Sequence, residues 1–197
     1  MTTPAAPVPT PGLHAAAVEE LASWEPPTHD QASLRQAYLA FLLAGPDGLW
    51  RANAPGHLTA SGLVLDATRR FVLLVLHPRA GRWLPPGGHL EPGDDSLAAA
   101  ALREVTEETG LVGACVDATP LLLDAHPFTC ALGIPTRHLD VGYVVRAAET
   151  PDGLPPTPVC SDESLDVRWW PVDALPEPTT PRLAVEVAAA LAVPAGR

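Results

Sequence analysis

The sequence predicts an α/β protein in which a mixed β-sheet lies between helices, with a helical appendage at the N-terminus. Three observations carry that expectation. Two strand-like runs, LTASGLVLD and FVLLVLH, flank the short turn ATRR and read as a hairpin. A helix with a stop signal, SLAAAALREVTEET before Gly110, follows them. Strand patterns then resume before a last amphipathic stretch that starts at Thr180-Pro181.

The elements follow in chain order. Residues 1–12 are rich in Pro and Ala and are expected to form a disordered tail. His14 to Trp24 suits a first helix, ended by Pro26-Pro27. In the second helix Asp30 can cap, Leu34, Tyr38, Phe41 and Leu42 share a face, and Gly45-Pro46 is the stop. Residues 13–50 therefore form the appendage, and 51–197 the main domain. Three roles are open to the appendage: extending a cleft, mediating a homodimer, or covering a sheet face, the last being the simplest.

From His57 the texture changes to the strand pair, followed by the Pro/Gly-dense loop PRAGRWLPPGGHLEPGDD. In the next helix Asp95 or Ser96 can cap, and Leu97, Ala101 and Val105 form the apolar stripe. Gly110 supplies the left-handed end. Further strands are expected at 119–125, 138–146 and 165–170. Leu183, Val187 and Leu191 give the last helix its buried face.

Composition excludes several classes. No apolar run is long enough to span a membrane, and MTTPAAPVPTPG lacks the basic start and apolar stretch of a secretory signal. The three cysteines, Cys115, Cys130 and Cys160, have no CxxC spacing and read as reduced thiols of a cytoplasmic protein. A net charge of −11 argues against nucleic-acid polymers as partners. It leaves room for a small phosphate-bearing ligand, since divalent cations bridge acid to acid.

The residues 103–110, REVTEETG, raise the chemical question. Glu104, Glu107 and Glu108 stand at i, i+3 and i+4, so their carboxylates share one helix face. Their mutual repulsion and the negative end of the helix dipole both disfavour this clustering, by about 0.3–1 kcal/mol per group for the dipole. A divalent cation removes the conflict, because Mg²⁺ takes oxygen ligands and clustered carboxylates supply them. Arg103 can pair with Glu107 at i+4 and hold it. A bare ExxEE is more often a solvated helix face; here the preceding loop decides against that reading.

Residues 87–111, GGHLEPGDDSLAAAALREVTEETGL, resemble the signature box of the Nudix hydrolases. The box runs Gly, five residues, Glu, seven residues, then Arg-Glu-aliphatic-x-Glu-Glu-x-Gly-aliphatic. Gly88 opens it, and Arg103, Glu104, Val105, Glu107, Glu108, Gly110 and Leu111 complete it. The chain departs from the pattern twice. The middle glutamate is an aspartate, Asp94 or Asp95, and an extra residue precedes Arg103, absorbed at Gly93 without shifting a helical acid. Capping is the default role for the two aspartates. Weaker resemblance runs from His57 to Leu175, with VRWWPVDAL similar to a late segment of the family.

The resemblance implies a Nudix-type α/β/α sandwich. It also implies Mg²⁺-dependent, or Mn²⁺-dependent, cleavage of a nucleoside diphosphate linked to another group. Glu104, Glu107 and Glu108 would hold metal with a carbonyl of Gly87 or Gly88. Arg103, Glu104 and Glu107 would serve catalysis, with Glu104 or Glu107 as the base. A further acid often comes from a distant segment, and Glu163, Asp140 and Asp166 are the candidates.

His89 can touch a phosphate or simply pack the loop, and Trp83 is read as a core anchor before a base-stacking wall. In a strand at 138–146, His138 and Asp140 share a face and could read the substrate, with His126 joining them. Trp169 and Trp170 point opposite ways. The alternative function is a non-catalytic module sensing a nucleotide or ADP-ribose on the same fold; the intact box acids favour catalysis. An isopentenyl-diphosphate isomerase relative would need a placed cysteine, and neither Cys115 nor Cys130 stands in an informative context.

Overall fold

A computed structural model describes residues 11–129, 133 and 135–194. The tail expected at 1–12 falls outside these residues except at Pro11 and Gly12, which already belong to the first helix, and Cys130 also lies outside them.

Two helices come first, α1 (Pro11–Ser23) and α2 (His29–Ala44), followed by a 3₁₀ turn at Pro46–Leu49. Thr28, not Asp30, caps α2: its hydroxyl accepts from the Gln31 N–H at 3.3 Å. The strands and helices of the main body are β1 (His57–Leu65), β2 (Phe71–His77), β3 (Arg82–Leu84), β4 (Gly87–His89), α3 (Leu97–Thr109), β5 (Cys115–Val116), β6 (Leu122–Thr129), β7 (Pro135–Arg146), β8 (Val167–Pro171) and α4 (Pro181–Ala192). The strands expected at 119–125, 138–146 and 165–170 therefore exist with shifted bounds.

The sheet is mixed. β1 pairs antiparallel with β2 and β4 and parallel with β7, which carries β5 and β6 on its other side; β2 also pairs with β3 and β8. The parallel β1–β7 contact runs the full length of β1, from His57 opposite His138 to Leu65 opposite Arg146. The hairpin turn is built by Asp66, whose carboxylate accepts from the N–H groups of Thr68, Arg70 and Phe71 at 2.7–3.0 Å.

Alternation along the central strands sends side chains to two faces. Leu58, Ala60, Val141 and Tyr143 join Leu13, Leu21, Tyr38, Leu42 and the start of α3 in one core cluster. Leu63, Leu65 and Val144 pack instead with Leu183, Val187 and Ala190 of α4. The expected stripe of Leu97, Ala101 and Val105 is fully buried. The expected face of α4 needs one correction: Leu191 is 39% exposed and Ala190 takes the inward place. Two helical turns are about 7.2 residues, so position 190 stays in line with 183 and 187 while 191 drifts outward.

The helices of 13–50 cover a sheet face and are stitched to it by part-buried polar bonds. Tyr38 Oη lies 2.6 Å from the Asp124 carbonyl and 2.9 Å from that of Asp140. The Gln31 amide pairs with the backbone of Leu123 in both directions, at 3.0 and 2.7 Å. Trp83 is a core residue, 7% exposed, with its ring centroid 5.2 Å from that of Trp170. Trp169 borders the cluster around Val105, and Trp170 the one under α4, so the two rings do face opposite ways.

Candidate active site

The acid-bearing end of α3 is fixed from both sides. Ser96 caps the helix, its hydroxyl accepting from Ala99 N–H at 3.0 Å, and Gly110 ends it at φ 65°. Capping is thus not the work of Asp94 or Asp95. Asp94 is buried and grips Arg103 through Nε to Oδ1 at 2.9 Å and Nη2 to Oδ2 at 3.1 Å. It also accepts the Glu91 N–H at 2.7 Å. Five residues separate Asp94 from Gly88, the box's own spacing, so the extra residue falls between Asp94 and α3, not at Gly93.

Arg103 has work beyond Asp94. Its Nη1 donates to Glu104 Oε1 at 2.9 Å and to Glu107 Oε2 at 3.0 Å, and its Nη2 to the His89 carbonyl at 2.9 Å. One guanidinium therefore sets two of the three box carboxylates and the strand β4. The pairing with Asp94 raises the Arg103 pKa further.

Glu104 and Glu108 are buried, while the Glu107 side chain is 57% exposed. Burial pushes both Glu104 and Glu108 up to about 7, with neighbouring carboxylates adding to the rise. Glu108 Oε2 accepts the Gly87 N–H at 3.2 Å. Gly88 lies so close that a Cβ on it would stand 2.7 Å from the Glu104 carboxylate. Only glycine permits that approach. Buried carboxylates that repel one another beside a bare backbone offer oxygen donors, the ligand type that hard divalent cations take.

These groups open into one cleft of about 1300 Å³, which Glu104, Glu107, Glu108, Gly87, Gly88, His89, His138, Asp140 and Glu163 all line. Glu163 is exposed and close enough to raise the Glu104 and Glu108 pKa values, so it faces the acid cluster. Asp166 pairs with Arg168 at 2.6 Å and does not line the cleft. Asp140 is half-buried and already accepts from Thr59 Oγ1 at 2.8 Å and Ser61 Oγ at 2.6 Å. It lines the same cleft as His138.

Several residues in or beside the cleft were not picked out from the sequence. His57 joins His89 and His138 in a packed trio with ring centroids 5.0, 5.0 and 5.3 Å apart. Burial, then the neighbouring histidines, lower His89 to about 4 and His138 to about 3. Phe128 stacks on His138 at 4.5 Å. His126 joins as expected, 5.5 Å from His138, and its Nδ1 is 2.7 Å from Asp124 Oδ2. Arg182 of α4 closes the far wall through Asp124 at 2.8 Å and Glu186 at 2.6 Å.

The fold and this site belong to one known class. The family model for the NUDIX domain matches residues 55–190, and the chain belongs to that family. It is 40% identical over 99 residues to the m7GpppN-mRNA hydrolase NUDT17 of Xenopus laevis, covering 49% of this chain and 32% of the relative. It is 44% identical over 46 residues to the asymmetrical bis(5'-nucleosyl)-tetraphosphatase of Mus musculus, covering 23% and 31% of the two chains. The matches thus span about a third of the length of these curated relatives. Among solved structures, the Nudix hydrolase RenU of M. smegmatis shares the fold, with a TM-score of 0.50, 22% identity, and 72% and 91% coverage. Among the described residues no helix is long and apolar enough to cross a membrane.

Proposed function

We propose that the chain is a metal-dependent hydrolase that cleaves the pyrophosphate link of a nucleoside diphosphate joined to another group. One observation carries this reading: Glu104 and Glu108 are buried carboxylates held against the Gly87–Gly88 backbone inside a wide cleft. A stability-driven sequence would not bury them there together.

In this reading Glu104, Glu107 and Glu108, with a carbonyl of Gly87 or Gly88, would hold Mg²⁺ or Mn²⁺. When bound, such ions neutralise diphosphate oxygens and lower the pKa of the water they hold. Arg103, locked by Asp94, keeps Glu104 and Glu107 at fixed positions on the cleft wall. Glu107 is the exposed acid of the three and the best placed to accept the proton of the attacking water. Glu163 faces the cluster from the opposite segment and would serve as a further ligand or base. His89 and His138 shape the wall against which the rest of the substrate lies.

The similarity to NUDT17 and to the tetraphosphatase supports substrates in which a nucleotide is linked through several phosphates. The charge of −11 favours a small molecule over a polymer. The test is a panel of nucleoside triphosphates, dinucleoside polyphosphates, nucleotide sugars and m7GpppN, incubated with Mg²⁺ or Mn²⁺, with products identified by mass. Release of a nucleoside monophosphate or diphosphate supports the reading. Binding without turnover across the panel would favour the sensing module instead. Cys115 is exposed on β5 and does not line the cleft, so it lends no support to the isomerase alternative.

A further inference from the structure

A second group of ligand-type side chains lies at the edge of the cleft, two of its three members lining it. His57 on β1, His89 on β4 and His138 on β7 come from three neighbouring strands of the sheet. β1 is the middle one: it pairs antiparallel with β4, where Thr59 stands opposite His89, and parallel with β7, where His57 stands opposite His138. Each ring offers a nitrogen, and the three nitrogens all lie within 4.8 Å of one another. His57 and His138 are buried and His89 is half-buried.

We propose that His57, His89 and His138 form a binding site for a divalent transition-metal ion of the zinc class, chemically distinct from the carboxylate cluster on α3. The donor chemistry sets the metal. Three imidazole nitrogens suit Zn²⁺, Co²⁺, Ni²⁺ or Cu²⁺, while Mg²⁺ demands oxygen and binds at the carboxylates. The trio matches the three-histidine set that leaves a fourth position open. Two metal–nitrogen bonds of about 2.1 Å span at most about 4.2 Å, so small ring rotations draw the nitrogens in on binding.

A supporting contact fixes one ring. His57 Nδ1 lies 3.2 Å from the Asn53 carbonyl oxygen, an acceptor only. That bond requires Nδ1–H, so the neutral ring carries its lone pair on Nε2, the tautomer that usually backs a ligating histidine. His89 and His138 line the cleft, as do Arg51 and Arg79.

The test uses the metal-free full chain titrated with Co²⁺, followed by visible absorption, and with Zn²⁺ as competitor. The expected result is intense bands of a four- or five-coordinate nitrogen site, erased by Zn²⁺ and retained in Glu107→Gln. His57→Gln and His138→Gln should each weaken binding by roughly a hundredfold. In case those buried positions disturb folding, His89→Gln on β4 is compared too, with far-UV circular dichroism as the control. Independently of any variant, Zn²⁺ should shift the imidazole ¹⁵N resonances of these three histidines in the wild-type protein. Only weak, octahedral-type bands that survive the histidine substitutions, or unmoved imidazole resonances, would overturn the proposal. None of these outcomes depends on turnover, so loss of this site and loss of the hydrolase reading are separable.

Discussion

Asp94 and Arg103 meet through a two-point bond, 2.9 Å at Nε and 3.1 Å at Nη2, nine residues apart in the chain. This fork ties the loop before α3 to the middle of the helix. The same arginine then holds Glu104 and Glu107. Asp94→Asn keeps the size of the side chain and removes its charge. It should cost about 2 kcal/mol, because a buried charged hydrogen bond is weakened and its arginine is left partly unpaired. Mg²⁺ affinity should fall with it, as Arg103 then has freedom to compete for the metal-facing oxygens. Urea denaturation and calorimetric Mg²⁺ titration check the two effects; unchanged values in both would show that the fork positions nothing.

Glu107 separates chemistry from stability. Its side chain is 57% exposed and its pair with Arg103 is only one of that arginine's contacts. Glu107→Gln should leave the melting temperature within a degree or two. Turnover of the best panel substrate should fall by roughly 10²–10⁴, the usual contribution of a positioned base. A rate near wild type would remove Glu107 from the mechanism.

Gly88 tests the close approach. A methyl there would press on the Glu104 carboxylate at 2.7 Å. Gly88→Ala should displace Glu104 or β4, destabilise by about 1–3 kcal/mol, and weaken Mg²⁺ binding more than a comparable change elsewhere in the loop. Gly93, whose Cβ would meet nothing, is the control: Gly93→Ala should change neither property much. Equal effects at the two positions would refute the steric argument.

The acidic cluster was legible because helical periodicity converts i, i+3 and i+4 into one face, and the caps at Ser96 and Gly110 fix where that helix lies. The family box was legible for the same local reason. His57 was not, because its place in the histidine trio depends on the parallel pairing of β1 with β7, some 80 residues downstream. Arg182 and Phe128 likewise reach the cleft only through the packing of α4 and the register of β6. The role of Asp94 was misassigned because capping is a local habit of aspartate, whereas its grip on Arg103 is set by how the loop folds back.

Tyr38 measures how firmly α2 is joined to the site-bearing strands. The side chain is fully buried, and its hydroxyl reaches the part-buried carbonyls of Asp124 and Asp140. Tyr38→Phe leaves the packing and removes the donor. It should cost about 1–3 kcal/mol through unsatisfied part-buried carbonyls. The rate per folded molecule should stay near wild type, because the ring itself does not line the cleft. Denaturation and activity measured on the same preparation decide the point; a neutral stability effect would mean that the helix is held by apolar contact alone.

The pH dependence of metal stabilisation follows from Glu104 and Glu108. Both are raised from the usual 4.5 to about 7 by burial, so the folded chain binds these protons more tightly than the unfolded chain. Stability from these groups is therefore fully present below about pH 4.5 and is lost as pH rises through 7. Mg²⁺ reverses the loss by replacing the protons, and it competes with them below pH 7. Metal-free protein should melt lower at pH 8 than at pH 5.5, other titrations being matched with a Glu104→Gln, Glu108→Gln double variant. Saturating Mg²⁺, at about 100 times its dissociation constant, should add about 2.7 kcal/mol at pH 8, or roughly 5–10 °C. At pH 5.5 the increment should nearly vanish. A Mg²⁺ increment of the same size at both pH values, or one that persists in the double variant, would show that the cation binds somewhere other than these two carboxylates.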